Sequence, residues 1–296
     1  MSPFHPATRT ASKARIALAG PSGSGKTYTA LAFAHTLGDR VAVIDTERGS
    51  ASKYAGLNGW QFDTVTPDSF SPESLVTLLG EAADYDVVVV DSLSHYWMGV
   101  DGMLEQADKL KRGANSFSGW KEARPAERRM IDALVSHPGH VIVTMRTKTE
   151  YVIEENERGK KEPRKVGMKP EQREGIEYEF DVVGELDFDN TLTVSKSRIH
   201  TLAKAVVPMP GAEVAEKISD WLSEGVQVPT PIEYRDRLLA AATADEVAVL
   251  GREIKEHQMS GAAIVVDGVT ATLLQLAHRQ HETLKFAAPA ESEAPA

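Results

Sequence analysis

Eight consecutive residues, Gly20-Pro21-Ser22-Gly23-Ser24-Gly25-Lys26-Thr27, have the types and spacing of a phosphate-binding loop. The glycines let the backbone curl until several N–H groups point into one concavity, which suits an anion. The stretch from Tyr28 to Leu37 is helix-compatible, and a helix N-terminus adds about half a positive charge at that point. Lys26 is placed to reach the β- and γ-phosphates of a nucleotide, the Thr27 hydroxyl to hold Mg²⁺, and Tyr28 completes the cofactor-binding segment. Asp91 ends the run Val87-Val88-Val89-Val90, where a carboxylate can orient Mg²⁺ through a coordinated water. Glu47 lies just past Val41-Ala42-Val43-Ile44-Asp45. There it could orient or deprotonate an attacking water, or serve as a surface ion-pair partner, for instance of Arg48. Arg146 follows the apolar run His140–Met145 and could sense a γ-phosphate, or stand in solvent.

These residues need elements to hold them. Short apolar runs predict strands near 15–19, 41–45, 61–65, 87–91 and 140–145, with helices near 26–37 and 71–84. The long connection after Asp91 reads as helices over 101–112 and 120–136 around a loop at 113–119. Strands alternating with helices argue for an α/β fold, a mostly parallel central sheet with helices on both faces. In such a sheet ligands sit at the carboxyl ends of the strands, where Lys26, Glu47, Asp91 and Arg146 all fall. Later strands are expected at 151–153, 180–186 and 191–195, then a helix at 213–223. Pro-containing residues 225–231 read as a linker, and Ala-rich residues 232–286 as a small helical region with helices near 232–242, 244–257 and 269–285. Residues 1–13 and 287–296 read as a disordered leader and tail around a core of 14–224.

The 296 residues carry 33 Lys and Arg against 43 Asp and Glu, a net charge of −10, and no cysteine. Disulfides and cysteine-based metal sites or nucleophiles are therefore excluded. No apolar run approaches a membrane span, and Arg9 and Lys13 are not followed by a signal-peptide core, so a cytoplasmic setting without membrane contact is expected. A uniformly acidic surface would repel nucleic acid, so binding needs a local basic patch. One stands at 158–173, where Arg158, Lys160, Lys161, Arg164, Lys165, Lys169 and Arg173 face two acids, a net +5. Gly159, Pro163 and Gly167 read as an irregular loop, either a DNA-binding one or a solvated hairpin paired with Glu154, Glu155 and Glu157. His95-Tyr96-Trp97 could touch a ligand, but local packing is the simpler account.

The four motifs in this order, between about Arg15 and Leu222, resemble the RecA-like ATPase core. VIDTE matches the strand whose following Glu is that family's catalytic carboxylate, which points to Glu47. VVVVDSLS matches its magnesium strand, with Asp91 as the acid. VIVTMRTK resembles its sensor strand, with Arg146 where the family commonly has Gln. The longer segments VIDTERGSASKYA, DSLSHYWMG, TKTEYVIEENERGKKEPRKVGMKPEQREGIEYEFDVVGELD and NTLTVSKSR look like phage-encoded RecA-like ATP-binding proteins, a group that includes recombinases of the single-strand-annealing type.

The resemblance implies ATP and Mg²⁺ as ligands and a DNA-stimulated ATPase in recombination, annealing or replication. It puts the basic segment where a mobile loop binds single-stranded DNA. It also implies that Lys196 and Arg198 reach a neighbouring subunit's nucleotide in a head-to-tail homo-oligomer, ring or filament. The helical tail, which it does not cover, could dock replication or recombination proteins. Two other readings stay open: a DNA-annealing module with ATP as a structural ligand, and a small-molecule phosphotransferase or ring translocase on the same core.

Overall fold

The computed structural model describes residues 12–111, 116–155, 161–225 and 228–287. The chain starts with strand β1 (Arg15–Gly20), helix α1 (Lys26–Leu37) and strands β2 (Val41–Asp45) and β3 (Asp63–Val65). Helix α2 (Pro72–Glu81) opens with Ser71 accepting from the Ser74 amide and Pro72 in the first turn. Strand β4 (Val87–Asp91) and helices α3 (Ser94–Met98), α4 (Met103–Lys109) and α5 (Ser116–Ser136) follow. Then come β5 (His140–Glu155), β6 (Lys161–Pro170), β7 (Val182–Leu186), β8 (Thr191–Ser197), β9 (Val206–Pro208) and α6 (Ala212–Ser223).

The strands form one sheet in the order β3-β2-β4-β5-β1-β7-β8-β9, with β6 paired to β5. The segment from β3 to β7 is parallel, and β8, β9 and β6 are antiparallel additions. Alternate residues of each central strand enter opposite cores. Ile16, Leu18, Val87 and Val89 join a cluster with α1 and α6. Ala17, Ala19, Val88 and Val90 join one with α2, α4 and α5. Burial on both faces is why these strands read as unbroken apolar runs. Each fully buried Val contributes about 1.5–3 kcal/mol.

Strand β5 departs from expectation. It runs unbroken for 16 residues, where the sequence predicts strands at 140–145 and 151–153. Its inner half lies between β1 and β4, up to the pair Gly20–Arg146. Its outer half, from Thr147, pairs antiparallel with β6. The nine residues beyond Arg146 span about 30 Å at the usual strand rise. Segment 161–170, for which the sequence leaves an irregular loop or a hairpin open, is thus the second strand of a hairpin. Lys, Gly and Pro are poor strand formers alone, but a hydrogen-bonded partner overrides that preference. Pro163 is tolerated because, among the described residues, β6 pairs with β5 alone. A bulge sits between the pairs Glu150–Gly167 and Tyr151–Lys165, where Val166 is extra.

Two further corrections concern helices. Helix α5 begins at Ser116, inside the expected loop, and passes through Pro125. The expected helix at 101–112 is the shorter α4, preceded by α3.

The tail has its own core. Helices α7 (Pro231–Ala240) and α8 (Ala244–Glu256) each start with a reciprocal capping box, Thr230 with Glu233 and Thr243 with Glu246. Instead of a helix from 269, strands β10 (Ala263–Val266) and β11 (Val269–Thr272) form a hairpin before helix α9 (Leu273–Ala287). Asp267 and Gly268 both take positive φ, 52° and 77°, as a two-residue hairpin turn demands. Tyr234, Leu238, Ile254, Ile264 and Leu273 are central to this core.

Candidate nucleotide site

The carboxyl ends of β1, β2, β4 and β5 and the turn after β7 surround one cleft of about 1090 Å³. The phosphate loop forms its floor. Gly23 and Gly25 have φ of 81° and 82°, a left-handed conformation that other residues adopt at a cost. At Gly20 a methyl group would lie 2.6 Å from the Leu186 carbonyl oxygen, so the loop packs against β7 without room for a side chain. Gly25 precedes α1, where no side chain caps the helix and no acid occupies the first turn. The first amides of α1 therefore remain for a ligand, and the helix dipole favours an anion there.

Lys26 is buried, and its ammonium donates to the Pro21 carbonyl at 2.7 Å. Burial lowers its pKa; Glu47 and Asp91 act to raise it, and Arg146 to lower it. Ser24 has a buried hydroxyl oxygen without a partner. An unsatisfied hydroxyl, uncapped helix amides and a desolvated ammonium in one loop fit a polyphosphate.

Asp91 is 1 % exposed and held by two hydroxyls. Thr27 Oγ1 donates to one carboxylate oxygen at 2.7 Å and Thr144 Oγ1 to the other. Burial pushes the Asp91 pKa up, and the Thr144 and Thr27 hydrogen bonds pull it back. Thr27 and Asp91 are a hydroxyl and a carboxylate in contact, a pair that would suit a hard cation such as Mg²⁺. Among the described residues no cluster of three His, Asp or Glu could hold a metal alone.

Glu47 and Arg146 face each other across the cleft. Arg146 Nε donates to Glu47 Oε1 at 3.0 Å. The ion-pair partner of Glu47 is thus Arg146 rather than Arg48, because β2 and β5 flank β4 and their registers bring positions 47 and 146 to one level. Asp45, fully buried, clamps the turn carrying Glu47 by accepting from the Glu47 amide at 2.8 Å and the Ala51 amide at 3.1 Å. The Arg146 carbonyl accepts from the Glu171 amide at 2.7 Å, which brings a further carboxylate to the cleft.

Lys196 and Arg198 lie elsewhere. The pairs Lys196–Val183 and Ser197–Val182 put them at the amino end of β7, the end of the sheet away from this chain's cleft. Lys196 Nζ donates to the carbonyls of Glu177, Tyr178 and Phe180 at 2.8, 2.9 and 2.6 Å. Arg198 Nη1 pairs with Asp181 at 2.8 Å, and its side chain is 57 % exposed.

Of the basic segment, Arg158 and Lys160 fall outside the described residues. Lys161, Arg164, Lys165 and Lys169 are backbone positions along β6. Arg173 follows the hairpin and pairs with Glu127 of α5 at 3.5 Å.

Sequence reasoning missed Thr144, Asp45 and Asn190. Nothing in a Thr within an apolar run marks it as the support of an aspartate at the end of the neighbouring strand. Asp45 was visible only as the acid ending an apolar strand. Asn190, at φ 57° in the turn between β7 and β8, touches the space above Gly25.

The sheet, the uncapped loop and the Thr27–Asp91 pair at its edge define a nucleotide-binding protein of the phosphate-loop NTPase class. Residues 12–206 match the family model described as an AAA domain, and the chain belongs to that family. No curated protein matches the chain.

Proposed function

We propose that this chain is a Mg²⁺-dependent ATPase that binds single-stranded DNA and works as a head-to-tail oligomer in recombination, annealing or replication. The observation that carries the reading is the continuity of β5. One strand contributes Arg146, bonded to Glu47 in the cleft, and nine residues later ends in a hairpin whose second strand is basic.

In this reading Lys26 and the loop amides hold the phosphates, and Thr27 and Asp91 hold Mg²⁺, which offsets phosphate charge when bound. Glu47 leaves Arg146 to orient the attacking water. Arg146 then faces the γ-phosphate and transmits its state along β5. The register places Lys148 opposite Lys169 along the hairpin backbone. A polyanion along the hairpin is drawn to the segment's excess of basic residues. Arg198, and Lys196 once released from its three carbonyls, supply cations to the adjoining protomer's nucleotide. The phage setting and the annealing type rest on the sequence resemblance alone.

The test is ATP turnover and DNA binding across a salt series, for wild type and for a variant with Lys160, Lys161, Arg164 and Lys165 changed to Ala. The variant is expected to lose single-stranded DNA binding and DNA stimulation while keeping basal turnover. Its slope of log affinity against log salt should shrink by about 0.7 per lost phosphate contact. Intact binding by this variant sinks the hairpin assignment. Glu47→Gln separates the second reading, in which ATP only stabilises the oligomer. Annealing at wild-type level without turnover favours that alternative.

A further inference from the structure

Thr46 stands between the clamp residue Asp45 and Glu47, and it is 3 % exposed. Its amide donates to the Asp91 carbonyl at 2.7 Å. Its hydroxyl is the meeting point of β2 and the segment after β4. It accepts from the Ser92 amide at 2.6 Å, lies 2.6 Å from His95 Nδ1, and lies 3.2 Å from the Ser92 carbonyl oxygen. A hydroxyl has one hydrogen and two lone pairs. The Ser92 amide takes a lone pair, and the imidazole makes the shorter of the two remaining contacts. Either tautomer serves: Nδ1 accepts from the hydroxyl, or Nδ1–H donates to it while the hydroxyl turns to the Ser92 carbonyl.

The imidazole is itself held. It stacks on Phe70 with centroids 5.1 Å apart and ring planes 25° apart. One residue earlier, Ser94 Oγ accepts from the Arg146 amide at 2.9 Å. The segment 92–95 therefore touches both members of the Glu47–Arg146 pair, Arg146 through Ser94 and Glu47 through Thr46. Packing against Phe70 asks only for a flat ring. The contact to Thr46 asks for a polar atom at Nδ1, which packing does not explain.

We infer that His95 is a positioning residue for hydrolysis, fixing Glu47 through the hydroxyl of Thr46. The inference rests on the reading of Glu47 as the group that orients water. The imidazole forms no bond to nucleotide. It removes a degree of freedom from the turn that presents the carboxylate, and small misplacements of such a group are costly in rate.

The experiment compares full-length His95→Phe, His95→Asn, Thr46→Val and the double variant His95→Phe/Thr46→Val. It reads steady phosphate release from ATP and equilibrium binding of a fluorescent ATP analogue with Mg²⁺. His95→Phe, which keeps the stacking ring, is expected to lower kcat about tenfold or more, with analogue affinity within about twofold of wild type. His95→Asn, whose amide can take the Nδ1 position, is expected to restore most of the rate. The double variant should be no slower than Thr46→Val, because the two side chains act as one unit. Wild-type kcat in His95→Phe overturns the inference, as do losses that multiply in the double variant or an equal loss of analogue affinity. If His95→Phe fails to fold, the other two single variants decide. A slow Thr46→Val beside a near-normal His95→Asn supports the link, and equal rates for both overturn it. Glu47→Gln is measured in parallel. Wild-type turnover there removes the reading beneath the inference. An inactive Glu47→Gln beside a fully active His95→Phe removes the inference alone.

Discussion

Asp91 is a buried carboxylate held by two hydroxyls. Burial raises its pKa, and the hydrogen bonds from Thr144 and Thr27 oppose that shift without cancelling it. Thr144→Val removes one donor and leaves a buried oxygen unpaired, a loss of about 1–3 kcal/mol. The expected outcome is weaker Mg²⁺ dependence of nucleotide binding, seen as a higher midpoint in a Mg²⁺ titration with Mg²⁺-free affinity unchanged. An unaltered midpoint contradicts the role given to Thr144. Arg146→Ala frees Glu47 but breaks the link to the hairpin. Basal turnover should persist while stimulation by single-stranded DNA disappears, measured as the ratio of rates with and without DNA.

A second residue-scale prediction concerns acid. His137 and His140 are buried beside Arg15, whose guanidinium donates to the carbonyls of Val135, Ala14, Gly139 and His137. Burial, with Arg15 as a secondary cause at His137, lowers the His137 pKa to about 4. Burial and then Lys13 and Arg15 lower that of His140 to about 3. Above the ordinary histidine pKa of about 6.5 both states are neutral and nothing is lost. As pH falls through 6.5 the unfolded chain takes up protons that the fold refuses, so stability declines. The slope is about 1.4 kcal/mol per pH unit for each histidine. Urea midpoints should fall between pH 7 and pH 5, and a flat profile over that window contradicts the assignment.

At the scale of elements, the phosphate loop, β2, β4 and the inner half of β5 were legible because each joins an apolar run to a chemically marked end. The hairpin was legible only as the alternative to an irregular DNA-binding loop. Its charge and glycines read as loop, and pairing with Tyr151-Val152-Ile153 is a non-local fact. Its outermost residues also lie outside those the structure describes. The β10–β11 hairpin was legible in principle, since Asp267-Gly268 between β-branched residues is a strong turn signal. The Ala-rich surroundings outweighed it. The Glu47–Arg146 pair needed strand order. Only when β4 is known to lie between β2 and β5 do two residues 99 positions apart become neighbours.

At the scale of the whole molecule, the tail is fastened to the core by Arg235. Its guanidinium meets Asp84, in the connection after α2, at 2.5 Å and the Val265 carbonyl at 3.2 Å, and it is mostly buried. Arg235→Ala strips Asp84 of that partner, at a cost of about 1–3 kcal/mol. Limited proteolysis within 225–231 should accelerate while ATP-analogue binding is retained. Cleavage at the wild-type rate argues against Arg235 as the fastener. Among the described residues no helix is long and apolar enough to cross a membrane.

Strand β5 gives neither the lysine proposed to hold phosphate nor the aspartate proposed to hold metal, yet it is wedged between β1, which leads into the first, and β4, which ends in the second. It works as a shim, holding those two strands two strand spacings apart, about 10 Å. A load applied to the far end cannot slide this shim lengthwise without shearing the ladders on either flank. The give must come as flexure where the strand leaves the sheet, at Arg146 and Thr147, beside the charge pair that such a flexure would open.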